Sequence, residues 1–207
     1  MIIAINTRTI SRNDEVNYLL INHILQLAAL YPEHQFFLIS PKETGLTESL
    51  TNVKQYLLPQ QSDNSLLWKF WYHYKLPAAV RKLKADILLS TDGILSRRIK
   101  IPQYLLVSDT GYLAFPELYA ANYARFARLN SADFFRKAKK LIVFSNYQKQ
   151  EIIKLYKLNE AKISVWHPGI PVSYQPAPIK DTEEFKLQHT DGKDYMLFYG
   201  AIEEKSR

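Results

Sequence analysis

The chain has 207 residues, of which 47% are hydrophobic and 23% charged, as is usual for a protein with an apolar core. It contains no cysteine, which excludes a disulfide framework, a thiolate metal site and a cysteine nucleophile. The opening apolar run covers only Met1 to Ile5, and no run approaches the roughly 18 apolar residues of a membrane-spanning helix. These features predict a cytoplasmic protein.

The net charge of +7 is concentrated in the middle of the chain. The stretch 69–140 holds 14 Lys and Arg against 5 Asp and Glu. Such a stretch can attract phosphates, anionic lipid headgroups or nucleic acid. It can equally be the solvated surface of helices, and the charge alone leaves both interpretations open.

Short apolar runs alternate with helical periodicity along the first 165 residues. The runs predict seven strands, over 1–5, 35–40, 53–58, 86–90, 103–107, 140–144 and 162–165. Helices are predicted from an N-cap at Asp14 to about Tyr31, and over 65–84, 118–138 and 146–156. Pro77 should break or kink the second helix. This alternation predicts an α/β fold, with a doubly wound, Rossmann-like parallel sheet and helices on both faces.

The alternation ends at His167. Prolines and a glycine follow as far as Pro178, which is typical of a linker, and a polar helix is predicted over 181–188. One more apolar strand is predicted over 195–199, but a single strand cannot bury its own faces. We therefore predict a domain over 1–170, a linker over 171–194, and the start of a truncated second domain over 195–207.

Ligands of open parallel sheets bind outside the carboxyl ends of the strands. This rule selects the loops 6–13, 91–93, 108–111, 145–146 and 167–169. Asp109 follows an apolar strand by two residues, where a carboxylate can act as a base or orient a substrate hydroxyl. It can equally form an Asx turn or cap a helix, and Asp92 before Gly93 has the same turn chemistry. The five histidines show no ligand spacing, so no metal is expected.

The segment from Trp68 to Lys75 is rich in aromatic residues. Trp68, Trp71, Tyr72 and Lys75 fall on one face of a helix, which favours packing on the sheet. An alternative is an interfacial helix that touches a membrane or a lipid-linked acceptor. The cations between Arg97 and Lys100 would favour an anionic surface.

Several segments, in chain order, resemble those of the family 4 glycosyltransferases. They are ADILLSTDG (85–93), LLVSDTGYLAFPE (105–117), AKKLIVFSNYQKQEIIKLY (138–156), ISVWHPGI (163–170) and YMLFYGAIEEKSR (195–207). The second corresponds to an apolar strand, His-Asp, an aromatic residue and Pro-Glu in the family. The last corresponds to the strand, glycine and basic pair that open the family's second domain.

The resemblance implies the two-domain GT-B fold, in which the first domain binds the acceptor and the second binds a nucleotide sugar. It implies transfer with retention at the anomeric carbon and without a bound metal or other cofactor. Asp109 would be the catalytic residue. The residues expected to bind substrate are Asn6, Thr7, Arg8, Asp92, Gly93, Ser108, Ser145 and Gly169. Gly200 and Lys205 match the donor phosphate region, and this chain alone is expected to be inactive.

The chain departs from the family pattern at two places. Ser108 stands where the family often has histidine, and the loop 11–15 lacks the family's glycines. The leading hypothesis is a glycosyltransferase of polysaccharide assembly, with a glycan or lipid-linked acceptor and a peripheral contact with the inner face of the membrane. The departures favour a second hypothesis, a non-catalytic binding or partner subunit on the same fold. Nucleic acid is not expected as a partner, because no recognised binding motif is present.

Overall fold

The computed structural model describes residues 1–9, 15–43, 50–59, 69–169 and 175–197, and of residues 15–19 only the backbone. The chain divides into two compact units, over 1–168 and 169–207. Several residues singled out in the sequence lie outside the described ones. They are residues 11–14 of the loop 11–15, among them Asp14, together with Trp68, Gly200 and Lys205. No helix among the described residues is long and apolar enough to cross a membrane.

A seven-stranded sheet in which every pairing is parallel forms the centre of the first unit. The strands are β1 (Ile2–Asn6), β2 (Gln35–Ser40), β3 (Val53–Leu57), β4 (Ile87–Ser90), β5 (Gln103–Val107), β6 (Lys140–Val143) and β7 (Ile163–Val165). Their order is β3-β2-β1-β4-β5-β6-β7. Strands β2 and β3 therefore lie on one side of β1, and β4 to β7 follow in order on its other side. The predicted Rossmann-like fold is confirmed, and its topological switch point lies between β1 and β4.

Helices cover both faces of this sheet. They are α1 (Glu15–Leu30), α2 (Leu76–Lys82), α3 (Gly111–Ala114), α4 (Ala121–Lys137) and α5 (Asn146–Tyr156). Leu105 and Leu106 of β5 belong to different apolar clusters, because neighbouring side chains of a strand point to opposite faces. The larger cluster includes residues of α2, α4 and α5, and the smaller includes Ile21 and Ile24 of α1.

The helix predicted over 65–84 is not broken by Pro77. Residues 69–82 are helical throughout the described part, but Trp71–Lys75 form a π-helical turn. The Leu76 N–H bonds to the carbonyl of Trp71, five residues earlier. Because proline lacks an N–H and its ring clashes with the carbonyl four residues before it, the wider turn lets the helix continue past Pro77.

Two other elements differ from prediction. The helix predicted over 118–138 begins only at Ala121, since α3 and a 3-10 turn at Pro116–Leu118 use the preceding residues. In the second unit α6 (Ile179–Thr190) is longer than predicted. Residues 195–197, the described part of the predicted strand, have no regular secondary structure. A strand needs a neighbour for its backbone hydrogen bonds, and the described residues of this unit contain none.

Candidate functional site

A buried polar cluster closes the switch point of the sheet. Asn6 ends β1, and Asp92 follows β4, its neighbour in the sheet. The Asn6 amide donates to Oδ2 of Asp92 and to the hydroxyl of Tyr72, each at 3.2 Å. The Tyr72 hydroxyl in turn donates to the same Asp92 oxygen. Arg8 completes the cluster, with Nε 3.2 Å from the Tyr72 hydroxyl and 3.7 Å from Asp92 Oδ2.

Burial dominates the electrostatics of this cluster. The Asp92 side chain is only 6% exposed, and burial raises its pKa. The charge of Arg8 and the hydrogen bonds from Tyr72, Ile94 and Asn6 oppose that rise only in part. Burial and the neighbouring Asp92 raise the pKa of Tyr72 well above its ordinary value. Tyr72 therefore stays protonated and donates, and the cluster ties the loop after β1 to the loop after β4.

Thr7 has a structural role in the described part of the chain. Its side chain is buried, and its hydroxyl donates to the carbonyl of Ile39 at 3.1 Å. The backbone N–H of Thr7 bonds to the same carbonyl at 2.9 Å. Thr7 thus joins the ends of β1 and β2, and Asn6 is fully buried beside it. Their assignment to substrate binding stays a prediction.

A second carboxylate, Asp109, stands exposed at the end of β5. Its Oδ1 accepts the backbone N–H of Gly111 at 2.7 Å, which is the predicted Asx turn. Its Oδ2 accepts the hydroxyl of Tyr119 at 2.5 Å. Partial burial, and then the bond to Asp109, raise the pKa of Tyr119, so its hydroxyl stays a donor. The carboxylate is therefore held by two donors from its own loop and remains open to solvent.

A small cavity joins the two carboxylates. It has a volume of about 40 Å³, and its lining includes Asp92, Gly93, Ser108, Asp109 and Tyr123. Burial raises the pKa of Tyr123, and the charges of Asp109 and Asp92 raise it further. A water needs roughly 10–15 Å³ of such space, so the cavity accommodates waters but not a sugar ring. A sugar would have to bind at its mouth, beside Asp109.

Three tyrosines line the approach to Asp109. The ring centroids of Tyr112, Tyr119 and Tyr123 are separated by 6.0 to 6.3 Å. Tyr112 is buried and shares a hydrogen bond of 2.7 Å with Ser131, whereas Tyr123 is 40% exposed. Tyr112 and Tyr119 come from the segment after β5, and Tyr123 comes from the start of α4.

Of the remaining predicted residues, Ser145 and Gly169 are not in the cavity lining, whereas Gly93 is. Ser145 caps α5, accepting the N–H of Gln148 at 3.1 Å. Gly169 is exposed and begins the second unit. Gly93 adopts a left-handed backbone with φ of +69° beside the cavity. The structure thus brings together Asp92, Gly93, Ser108 and Asp109, with Arg8 bonded to the first of them.

Sequence reasoning missed the tyrosines of the site. The sequence predicts Tyr72 on the aromatic face of a helix. No motif near it in the sequence indicates that its hydroxyl donates to Asp92, twenty residues later. Tyr119 and Tyr123 lie in a stretch predicted only as helix. The Asp-Thr-Gly order at 109–111 is the one local signal, because it marks an Asx turn that presents the carboxylate.

The comparisons with known proteins agree with this architecture. The family model described as Glycosyltransferase Family 4 matches residues 20–174, from α1 past β7. The chain belongs to this family. No curated protein sequence matches this family 4 chain.

Solved structures share the fold of this family 4 chain at low identity. A glycosyltransferase from Rickettsia africae matches with a TM-score of 0.55 and 16% identity over 93% of this chain and 50% of its own. Anabaena HepE, in complex with UDP and glucose, matches with 0.58 and 16% over 91% and 50%. WaaG, a glycosyltransferase involved in lipopolysaccharide biosynthesis, matches with 0.60 and 13% over 92% and 51%. These likenesses show the fold of the GT-B glycosyltransferases, and the chain spans about half the length of each match.

Proposed function

We propose that the protein is a retaining glycosyltransferase that moves a sugar from a nucleotide-sugar donor to a glycan or lipid-linked acceptor. This chain forms the acceptor-side part, and neither a metal nor another cofactor takes part. The observation that carries the proposal is the exposed Asp109 carboxylate, held by Gly111 and Tyr119 at the carboxyl edge of a family 4 sheet.

The hydrogen bonds of Asp109 leave it able to bind an acceptor. An ionised carboxylate has about four acceptor sites. The Gly111 N–H occupies one site on Oδ1, and the Tyr119 hydroxyl occupies one on Oδ2. One site on each oxygen remains for hydroxyl groups of an acceptor, and two neighbouring hydroxyls of a sugar match that arrangement. Asp109 would orient the attacking hydroxyl and assist removal of its proton.

The donor half of the proposal comes from the relatives. Anabaena HepE was solved with UDP-glucose as well as with UDP and glucose, which supports a nucleotide sugar as donor. The predicted donor phosphate region, Gly200 and Lys205, remains a prediction, as does the inactivity of this chain by itself. A cytoplasmic location and a role in polysaccharide biosynthesis, with a peripheral membrane contact, belong to the same proposal.

The test is sugar transfer by the intact protein purified from its own cells. A panel of radiolabelled nucleotide sugars is incubated with a membrane extract that supplies glycan and lipid-linked acceptors. We expect Asp109→Asn to lower kcat by about 100-fold or more, since it removes the charge that orients and deprotonates the hydroxyl. Asp181→Asn, which changes an exposed carboxylate on α6, is the matched control and should transfer like wild type. Wild-type kcat in Asp109→Asn would remove Asp109 from the mechanism.

A non-catalytic binding subunit is the second candidate. It is favoured by Ser108, an exposed residue at the cavity where the family often has histidine. Such a subunit would bind an acceptor glycan in calorimetry and turn over no nucleotide sugar. Measurable transfer by the intact protein would exclude this candidate.

A further inference from the structure

A pocket lined by cations opens at the edge of the sheet opposite to the candidate site. Gln103 begins β5 and lines this pocket, whereas Asp109 follows the other end of the same strand. The volume of the pocket is about 380 Å³, which lies in the range of small-molecule sites. Its described lining contains no carboxylate, and it includes four cationic side chains, which are Arg97, Lys100, Lys137 and Lys139.

A buried glutamine builds the wall of this cationic pocket. Gln103 is only 6% exposed, and its Oε1 accepts the N–H of Ser96 at 3.0 Å. Its Nε2 donates to the carbonyls of Ser96 at 2.9 Å and Ile99 at 3.2 Å. These three bonds hold the loop between β4 and β5 against the start of β5. Arg97 and Lys100 belong to this loop, so its fold keeps both residues at the pocket.

The other two cations come from the end of α4 and the residues after it. The backbone carbonyl of Gln103 accepts the N–H of Lys139 at 2.8 Å. The Lys137 ammonium lies 3.1 Å from Oδ1 of Asp133, and Nε of Arg97 lies 2.7 Å from Oδ2 of the same carboxylate. Asp133 therefore joins the loop to α4 and brings Arg97 and Lys137 close together.

The pocket keeps an excess of positive charge. Asp133 offsets one of the four charges, and Lys137, in the last turn of α4, also offsets the helix dipole. Lys100 and Lys139 are exposed, belong to no helix, and form no ion pair among the described residues. Hydrogen bonds between neutral groups thus hold like charges together, and an anion in the pocket would relieve their repulsion.

We propose that the cationic pocket binds a small soluble ligand that carries phosphate groups, with a diphosphate as the minimal form. Guanidinium and ammonium groups form charge-assisted hydrogen bonds with phosphate oxygens. Nη1 of Arg97 forms no hydrogen bond with the described residues, since Asp133 and Asn130 bind Nε and Nη2. The inference goes beyond the proposed function, because this pocket lies at the opposite edge of the sheet from Asp109.

The shape of the site favours a soluble ligand over the headgroups of a bilayer. A ligand the size of a diphosphate can enter a pocket of about 380 Å³ and reach several cations at once. A flat membrane surface would instead meet the rim of the pocket. The experiment therefore compares inorganic pyrophosphate with anionic vesicles.

The test is lysine protection in the intact protein, without divalent cations or any nucleotide sugar. The protein is acetylated with acetic anhydride at increasing pyrophosphate concentrations, and mass spectrometry gives the labelling rate of each lysine. We expect pyrophosphate to protect Lys100 and Lys139. Lys154, which is exposed on α5 and does not line the pocket, should be labelled at an unchanged rate. Because each lysine is followed by itself, binding of pyrophosphate elsewhere does not obscure the result.

A charge-removing variant makes the test quantitative. In Lys100→Gln, half-protection of Lys139 should need about fivefold more pyrophosphate, the factor that one ion pair at about 4 Å contributes in water. Lys154→Gln is the matched control and should leave that concentration unchanged. Circular dichroism should show both variants folded, since neither lysine has an ion pair among the described residues.

Four outcomes would overturn the proposal. They are equal labelling of Lys100 and Lys139 with and without pyrophosphate, the same protection by sodium chloride at matched ionic strength, unchanged half-protection in Lys100→Gln, and protection by phosphatidylglycerol vesicles but not by pyrophosphate. The last outcome would assign these cations to a membrane contact. Since protection is measured without sugar transfer, a failure of the proposed function would leave this result unaffected.

Discussion

The Tyr119 hydroxyl reaches Oδ2 of Asp109 at 2.5 Å through space that the absence of a side chain at Gly111 leaves open. A Cβ at position 111 would lie 2.3 Å from that hydroxyl and 3.1 Å from Oδ1 of Asp109. Three residues of one short loop are thus fitted to each other, with the carboxylate at the centre. Tyr119 acts on Asp109 as a positioning residue, and Gly111 makes its approach possible.

Gly111→Ala should therefore destabilise the fold strongly only when the Tyr119 hydroxyl is present. Gly111→Ala should lower the free energy of unfolding by roughly 1–3 kcal/mol, the usual cost of overpacking. In a Tyr119→Phe background the nearest atom is gone, so the same substitution should cost much less. Urea unfolding of the four proteins of this double-mutant cycle measures the difference. An equal cost in both backgrounds would refute the steric relationship.

Tyr119→Phe should itself separate positioning from binding. It removes one of the two donors that hold Asp109 within the described structure. We expect kcat for sugar transfer to fall roughly tenfold, the effect of losing about 1.4 kcal/mol of orientation, with a smaller change in the KM of the acceptor. Tyr147→Phe is the matched control, since its hydroxyl bonds to Glu151 at 3.2 Å and neither residue lines the cavity. A change confined to KM would assign Tyr119 to acceptor binding.

The sheet could be predicted almost completely from the sequence, and the site only in part. Parallel strands covered on both faces appear as short apolar runs, so β2 and β5 were predicted with their observed ends. The strand ends then located Asp92 and Asp109. Tyr72 could not be found in this way, because its place beside Asp92 depends on how the helical segment crosses the sheet between β3 and β4. The break considered at Pro77 does not occur, because a π-helical turn precedes the proline, and proline rules alone do not predict that adjustment.

Gly93 should tolerate asparagine better than alanine. Its φ of +69° lies in the left-handed region, while the nearest atom to an added Cβ, the carbonyl oxygen of Leu106, is 3.7 Å away. The cost of a side chain is therefore backbone strain, about 1–2 kcal/mol for alanine, and asparagine accepts this conformation more readily. Thermal unfolding of Gly93→Ala and Gly93→Asn compares the two. Equal losses of stability would mean that contact with a side chain, rather than φ, determines the cost.

Ser145 offers a test of whether a predicted substrate residue has only a structural role. Its hydroxyl caps α5 by accepting the N–H of Gln148, so Ser145→Ala should lower the free energy of unfolding by about 1 kcal/mol. Asparagine also caps helices well, so Ser145→Asn should keep the stability. If capping is its whole role, Ser145→Asn should also keep the KM of the acceptor. A raised KM with unchanged stability would return Ser145 to the binding site.

The buried Asp92 should make stability depend on pH in a definite direction. Its folded-state pKa is raised, mainly by burial, so the folded protein binds this proton more tightly than the unfolded chain does. The stabilising contribution of the protonated carboxyl is present below the unfolded value, 3.8, and is lost as pH rises through the folded value.

Wild type should consequently lose unfolding free energy relative to Asp92→Asn as pH rises from 3.8 through the raised, folded-state pKa of Asp92. Arg8→Met should extend this pH range upward, because the charge of Arg8 opposes the rise in the pKa of Asp92. Urea unfolding across the pH range measures both effects, and subtracting the Asp92→Asn curve removes the titration of all other groups. A difference that is flat with pH, or that favours wild type as pH rises, would mean that Arg8, Tyr72 and Asn6 outweigh the burial of this carboxylate.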